Sequence, residues 1–135
     1  MTMIEVVPVS LVGIGMLAIF GALLAIFVIV QRVRLGVEWG DGGNVVMAQA
    51  VRAHANFAEL VPLALLAIVA AEIAGTSRLI VVGLVTALIA ARLLSAVGLS
   101  RSLGPSFARQ AGASVTILVT IIAGVCAIAA YATHA

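Results

Sequence analysis

Five polar residues crowd into the first half of an otherwise apolar stretch: Gln49, Arg52, His54, Asn56 and Glu59. Each type has a use at a binding site. Arginine presents a planar fork of donors that matches a carboxylate. Asparagine offers both a donor and an acceptor, suited to a peptide bond, and glutamate accepts from an ammonium group. At about 100° per helical residue, Gln49, Arg52, Asn56 and Glu59 fall within about 80° of one another. Arg52 to Glu59 spans roughly 10 Å along a helix axis, which suits a small, carboxylate-rich, peptide-like zwitterion. His54 points nearly the opposite way and must meet a different surface. A bland reading competes: an Arg52–Glu59 or Arg92–Glu59 ion pair that only fixes helix packing. Gln49, near the helix start, also reads as an interfacial amide.

Arg92 repeats the pattern in the next apolar stretch, with Ser95 one turn on. It reads either as a partner for Glu59 or as a ligand contact. Arg109 opens the last apolar stretch, where a snorkelling interfacial arginine is the alternative to a site residue. Arg32, Arg34 and Arg101 read first as topology determinants. Gly40-Asp41-Gly42-Gly43 is no phosphate loop, having no Lys-Ser/Thr after it and no strand before it. No His/Cys/Asp/Glu spacing suggests a metal, and no Ser–His–Asp set stands out. Cys126, the single cysteine, forms no internal disulfide and reads as a small apolar filler.

The elements that must carry these residues follow from composition. Of 135 residues, 64% are hydrophobic and only 9% charged, with a mean hydropathy of +1.34. A water-soluble chain this short cannot hide so much apolar surface, so lipid is the solvent that fits. The net charge is +2 and every basic residue is arginine. Those arginines are dispersed and form no stripe for nucleic acid.

A membrane helix needs about 20 apolar residues, and four stretches qualify: about Val6–Val30, Val45–Ala74, Arg78–Leu99 and Phe107–Tyr131. The first reads as a span and not a cleavable leader, since Glu5 is the only charge before a run too long for a signal peptide. Residues 38–44 and 100–106 are turn-rich connections, Gly75-Thr76-Ser77 a short break, and Asn44 a helix cap. The fold expected is all-α: an integral-membrane four-helix bundle. Arg32, Arg34, Arg101 and Arg109 share one side and Arg78 the other, which puts both termini away from the cytoplasm. Ala111-Gly112-Ala113-Ser114 permits close helix approach.

Arg52-Ala53-His54-Ala55-Asn56-Phe57-Ala58-Glu59-Leu60-Val61-Pro62 resembles the second-helix signature of the MAPEG family, the membrane-associated proteins in eicosanoid and glutathione metabolism. The Gly40–Asn44 loop, and Ala91-Arg92-Leu93-Leu94 followed by Gly98, also resemble the family, most of all its small bacterial inner-membrane branch. The resemblance covers essentially the whole chain as a single MAPEG-like transmembrane domain, 1–135. It implies a multi-pass homotrimer in the bacterial inner membrane. Glutathione would bind between protomers near the cytoplasmic face, beside a lipid-accessible groove for a hydrophobic small-molecule substrate. Arg52, Asn56 and Glu59 would hold glutathione, with Arg92 nearby. His54, and Arg32 or Arg34, would reach it from the adjacent protomer. Arg109 would stabilise the thiolate, with Ser95 as a second donor. The implied activity is that of a glutathione transferase or peroxidase acting on electrophiles or lipid hydroperoxides by thiolate activation. The chain departs from the family pattern where tyrosine or histidine is common: Leu60 and Val61 follow the glutamate, and Ser95 and Leu99 stand on the third helix. Those departures keep open a non-catalytic protein that binds glutathione or a related thiol or lipid metabolite.

Overall fold

The computed structural model describes residues 7–101 and 107–134, without the side chains at 97, 99–101 and 134. Glu5, Gly104 and Pro105, and the side chains of Leu99 and Arg101, therefore lie outside the described residues. Four helices follow one another: α1 Pro8–Leu35, α2 Val45–Ile73, α3 Arg78–Arg101 and α4 Phe107–His134. All four are long and apolar enough to cross a membrane. α1, α3 and α4 run two to five residues past the C-terminal ends expected from hydropathy, because helices continue through the interfacial layers beyond the hydrocarbon core, while α2 keeps its expected limits to within one residue.

The ends show why the helices start and stop there. Pro8 occupies the first turn of α1, where its missing N–H costs nothing. The next two amides are capped from a distance: Glu72, near the end of α2, accepts from Val9 N at 3.0 Å and Ser10 N at 2.8 Å. At the other end Gly36 takes the left-handed conformation, φ 65°, which ends the helix without a Cβ clash. Arg32 then organises the loop, its Nη1 donating to the carbonyls of Val37, Glu38 and Gly40 at 3.4, 3.2 and 3.2 Å. Asn44 caps α2 as expected, its Oδ1 accepting from Val46 N and Met47 N at 2.9 and 3.2 Å.

The packing is that of a bundle solvated by lipid. α2 and α3 pack on each other, and α1 and α4 each pack against both. Leu17, Val61, Ile68, Val81, Leu88 and Val119 form the centre, while large apolar residues stay exposed along every helix. Small residues set the closest approaches. A Cβ on Gly13 would lie 2.9 Å from Val85, and one on Gly21 would lie 2.7 Å from Phe57. Phe57 in turn meets Phe20 edge to face, 5.6 Å between centroids. A Cβ on Gly112 would collide with Ser95 Oγ and the Ala91 carbonyl, so that glycine lets α4 press onto α3.

α2 carries one more feature. Arg52, Glu59, Leu66 and Ile73 are all exposed and stand seven residues apart. That spacing keeps them on one seam of the helix.

Candidate functional site

The site is built where α2, α3 and α4 meet. Arg92 on α3 is 2% exposed. Its Nη1 donates to Asn56 Oδ1 on α2 at 3.1 Å, and its Nη2 to the Gly112 carbonyl on α4 at 2.6 Å. The same carbonyl accepts from Thr116 Oγ1 at 2.9 Å. One guanidinium thus ties three helices together through neutral oxygens. Its reach depends on Gly112, since a side chain there would push α4 away.

The bond to Asn56 also orients that amide. Arginine can only donate, so the oxygen of Asn56 turns inward and the NH2 is left for the outer side. There Asn56 lines a groove of about 190 Å³ with Arg52, Arg109, Gln110 and Ala113. Two guanidinium side chains and two amides surround it, and no carboxylate does among the described residues. Arg52 is exposed and Arg109 half-buried. The groove presents donors to an anion or a carbonyl.

Arg52, Asn56 and Arg109 are therefore brought together, with Arg92 behind Asn56. Neither internal ion pair left open above forms among the described residues: Arg92 bonds to Asn56 and Gly112, and Glu59 lies on the exposed side of α2. The common stripe is split. Gln49 lines a separate cleft of about 300 Å³ with Leu24, Phe27, Val46 and Ala53, because packing against α1 covers that edge of α2. His54 is half-buried outside the groove. Arg32 is spent on loop carbonyls, and Arg34 is exposed on the last turn of α1. Ser95 does not reach the groove. It is 5% exposed against Gly112, and its hydroxyl has no partner among the described residues. It borders a cavity of about 10 Å³ with Asn56 and Arg92, just large enough for one water.

Gln110, Gly112 and Thr116 were not anticipated as site residues. Gln110 had a signal, an amide beside Arg109 at the start of a membrane helix. The Gly112 carbonyl had none, because a backbone oxygen leaves no trace in side-chain pattern.

Four apolar helices, with Arg52, Arg92 and Arg109 gathered where α2, α3 and α4 meet, define a multi-pass α-helical membrane protein whose polar site lies within its helices. The MAPEG family model matches residues 10–129. The chain belongs to the MAPEG family. No match was found among curated proteins or among solved structures.

Proposed function

We propose that this protein is a glutathione-dependent membrane transferase or peroxidase acting on hydrophobic electrophiles or lipid hydroperoxides. The observation that carries the reading is the groove of Arg52, Asn56, Arg109 and Gln110, which among the described residues has two cations, two amides and no acid. Glutathione is a peptide with two carboxylates, an ammonium group and a thiol. Arg52 and the Asn56 amide would bind its carboxylate and peptide oxygens, and Arg109 would hold the thiolate. A nearby cation lowers a thiol pKa, and the thiolate is the nucleophile that attacks a substrate dissolved in the membrane. Glu59 would accept from the glutathione ammonium.

The proposed assembly is a homotrimer with the site between protomers. Glu59 is the central residue of α2, fourteen from Val45 and fourteen from Ile73, and it is exposed on the single chain. Holding an ionised side chain in mid-bilayer costs about 2.5–3.5 kcal/mol even on lenient scales. A second copy packed along the Arg52–Glu59–Leu66–Ile73 seam would take Glu59 out of lipid, and the ammonium group of glutathione bound there would pair its charge. That copy also gives His54, Arg32 and Arg34 a neighbouring site to serve, with both termini on the side away from the cytoplasm.

Ser95 favours a second reading. The hydroxyl that stands where family enzymes often carry a tyrosine or histidine is buried away from the groove. A protein that holds glutathione, or a related thiol or lipid metabolite, without turning it over would need no such donor.

Calorimetric titration of the purified protein with glutathione, paired with turnover of an aryl halide and a lipid hydroperoxide, separates the two. The enzyme reading expects binding and product, with both weakened at least about tenfold in Arg52→Ala as a charge-assisted bond is lost. Arg109→Ala should lower turnover more than binding. Binding without product selects the second reading, and no binding by the folded protein defeats both.

A further inference from the structure

A second concave surface lies on the opposite side of the bundle from the cationic groove. It runs between α1 and α3, has a volume of about 540 Å³, and is lined by Val12, Met16, Val82, Ile89 and Leu93, with Arg78 at one end. Among the described residues, Thr86 is the one other polar side chain along it. From Arg78 to Leu93 the α3 wall measures about 22 Å at about 1.5 Å per residue. One leaflet of the hydrocarbon core is about 15 Å deep, so the groove can take an acyl chain at full depth.

Its polarity differs from that of the α2 seam. The seam places Arg52 and Glu59 within the span. Among the described residues, the α1/α3 groove has no charge within the span and a single cation where the helix leaves it. Lipid can solvate such a surface along its whole length. The cation is placed against local helix electrostatics. Arg78 is the first residue of α3, where the amide dipoles already point their positive ends outward, and the first turn carries no acid. Glu72, six residues earlier at the end of α2, is engaged by the α1 amides. Among the described residues no carboxylate answers Arg78, which is exposed. The positive end of the groove is left open to an anion among the described residues.

We propose that the α1/α3 groove is a lipid site that seats one acyl chain of an anionic phospholipid, with its phosphate on Arg78. The chain lies over the close contact of Gly13 with Val85, which joins the two helices and forms the floor. The phosphate meets the guanidinium and the first amides of α3. This site is independent of the groove at Arg52 and of what that groove binds.

The test is native mass spectrometry of the full-length protein released from vesicles holding equal amounts of phosphatidylcholine and phosphatidylglycerol. The wild type should retain phosphatidylglycerol preferentially, and Arg78→Gln should lower that preference about fivefold, the weight of one interfacial cation. Arg78→Lys should keep most of it. The same loss is expected in a Glu5→Gln background, so a carboxylate at the start of the chain is not what the variant disturbs. Ala90→Trp, which fills the groove, should cut retention of both lipids. Phosphatidylglycerol, and not inorganic phosphate, should raise the melting temperature in detergent. Equal retention by wild type and Arg78→Gln overturns the proposal. So does disulfide cross-linking between copies through Val82→Cys, which would show that a neighbouring subunit covers the groove.

Discussion

Arg92 is a cation whose partners are both neutral, the oxygens of Asn56 and Gly112. Such a group is a weak source of stability, because removing it from water costs about what its bonds return. Its effect is positional: it holds the Asn56 oxygen inward and leaves the NH2 toward the Arg52–Arg109 groove. Two substitutions separate packing from positioning. Arg92→Ala opens a void among three helices and should lower stability by roughly 2–4 kcal/mol. Arg92→Met keeps most of the volume and should melt at or above the wild-type temperature. Glutathione affinity should fall in both, since Asn56 is then free to turn. If Arg92→Met melts as low as Arg92→Ala, the guanidinium is a structural tie. The choice among partners for Arg92 was not legible in the sequence. Glu59 and Asn56 lie within one turn of each other on α2, and only the rotation of that helix against α3 selects between them.

Helix boundaries were largely legible, because capping is local chemistry. Asn44 precedes the first amides it caps, whereas hydropathy ended α1 near Val30 and the helix runs on to Leu35, where Gly36 supplies the left-handed conformation that stops it. The start of α1 is the exception. Its cap comes from Glu72, more than sixty residues away, through bonds of 3.0 and 2.8 Å. A carboxylate at a helix N-terminus is favoured by both the free amides and the dipole. Glu72→Ala should therefore cost about 0.5–2 kcal/mol, as for other lost caps. Faster amide hydrogen exchange at Val9 and Ser10, with the middle of α1 unchanged, would confirm that the effect is local. Uniformly faster exchange along α1 would mean that Glu72 docks the whole helix. Gly112 makes the complementary point on α4. A run of small residues signals a close approach, but what approaches, Ser95 and Ala91, is decided by the fold.

At the scale of the molecule, the exposed seam on α2 is the feature a single chain leaves unfinished. Heptad spacing of Arg52, Glu59, Leu66 and Ile73 suits left-handed packing of like helices. With Cys126 replaced by serine, Leu66→Cys should give disulfide-linked pairs of chains under mild oxidation in membranes. Leu23→Cys, on the exposed face of α1, should give none. The reverse pattern would place the contact between copies on α1 and remove the reason for Glu59 to be buried by a neighbour.

Four spans, their approximate limits, the loop cap at Asn44 and the family were all determined by the order of residues alone. Hydropathy and capping act within one helix or one turn, and the Arg52-to-Pro62 signature is contiguous. The tertiary structure decided everything that depends on how one helix is turned against another. Packing of α1 over one edge of α2 drew Gln49 away from Arg52, burial against Gly112 took Ser95 out of the groove, and the loop carbonyls claimed Arg32. The physical reason is common to all three. In a chain so uniformly apolar, a helix has little amphipathic stripe to declare which face turns inward, so rotation is set by the fit of small residues and the hydrogen bonds of a few polar ones.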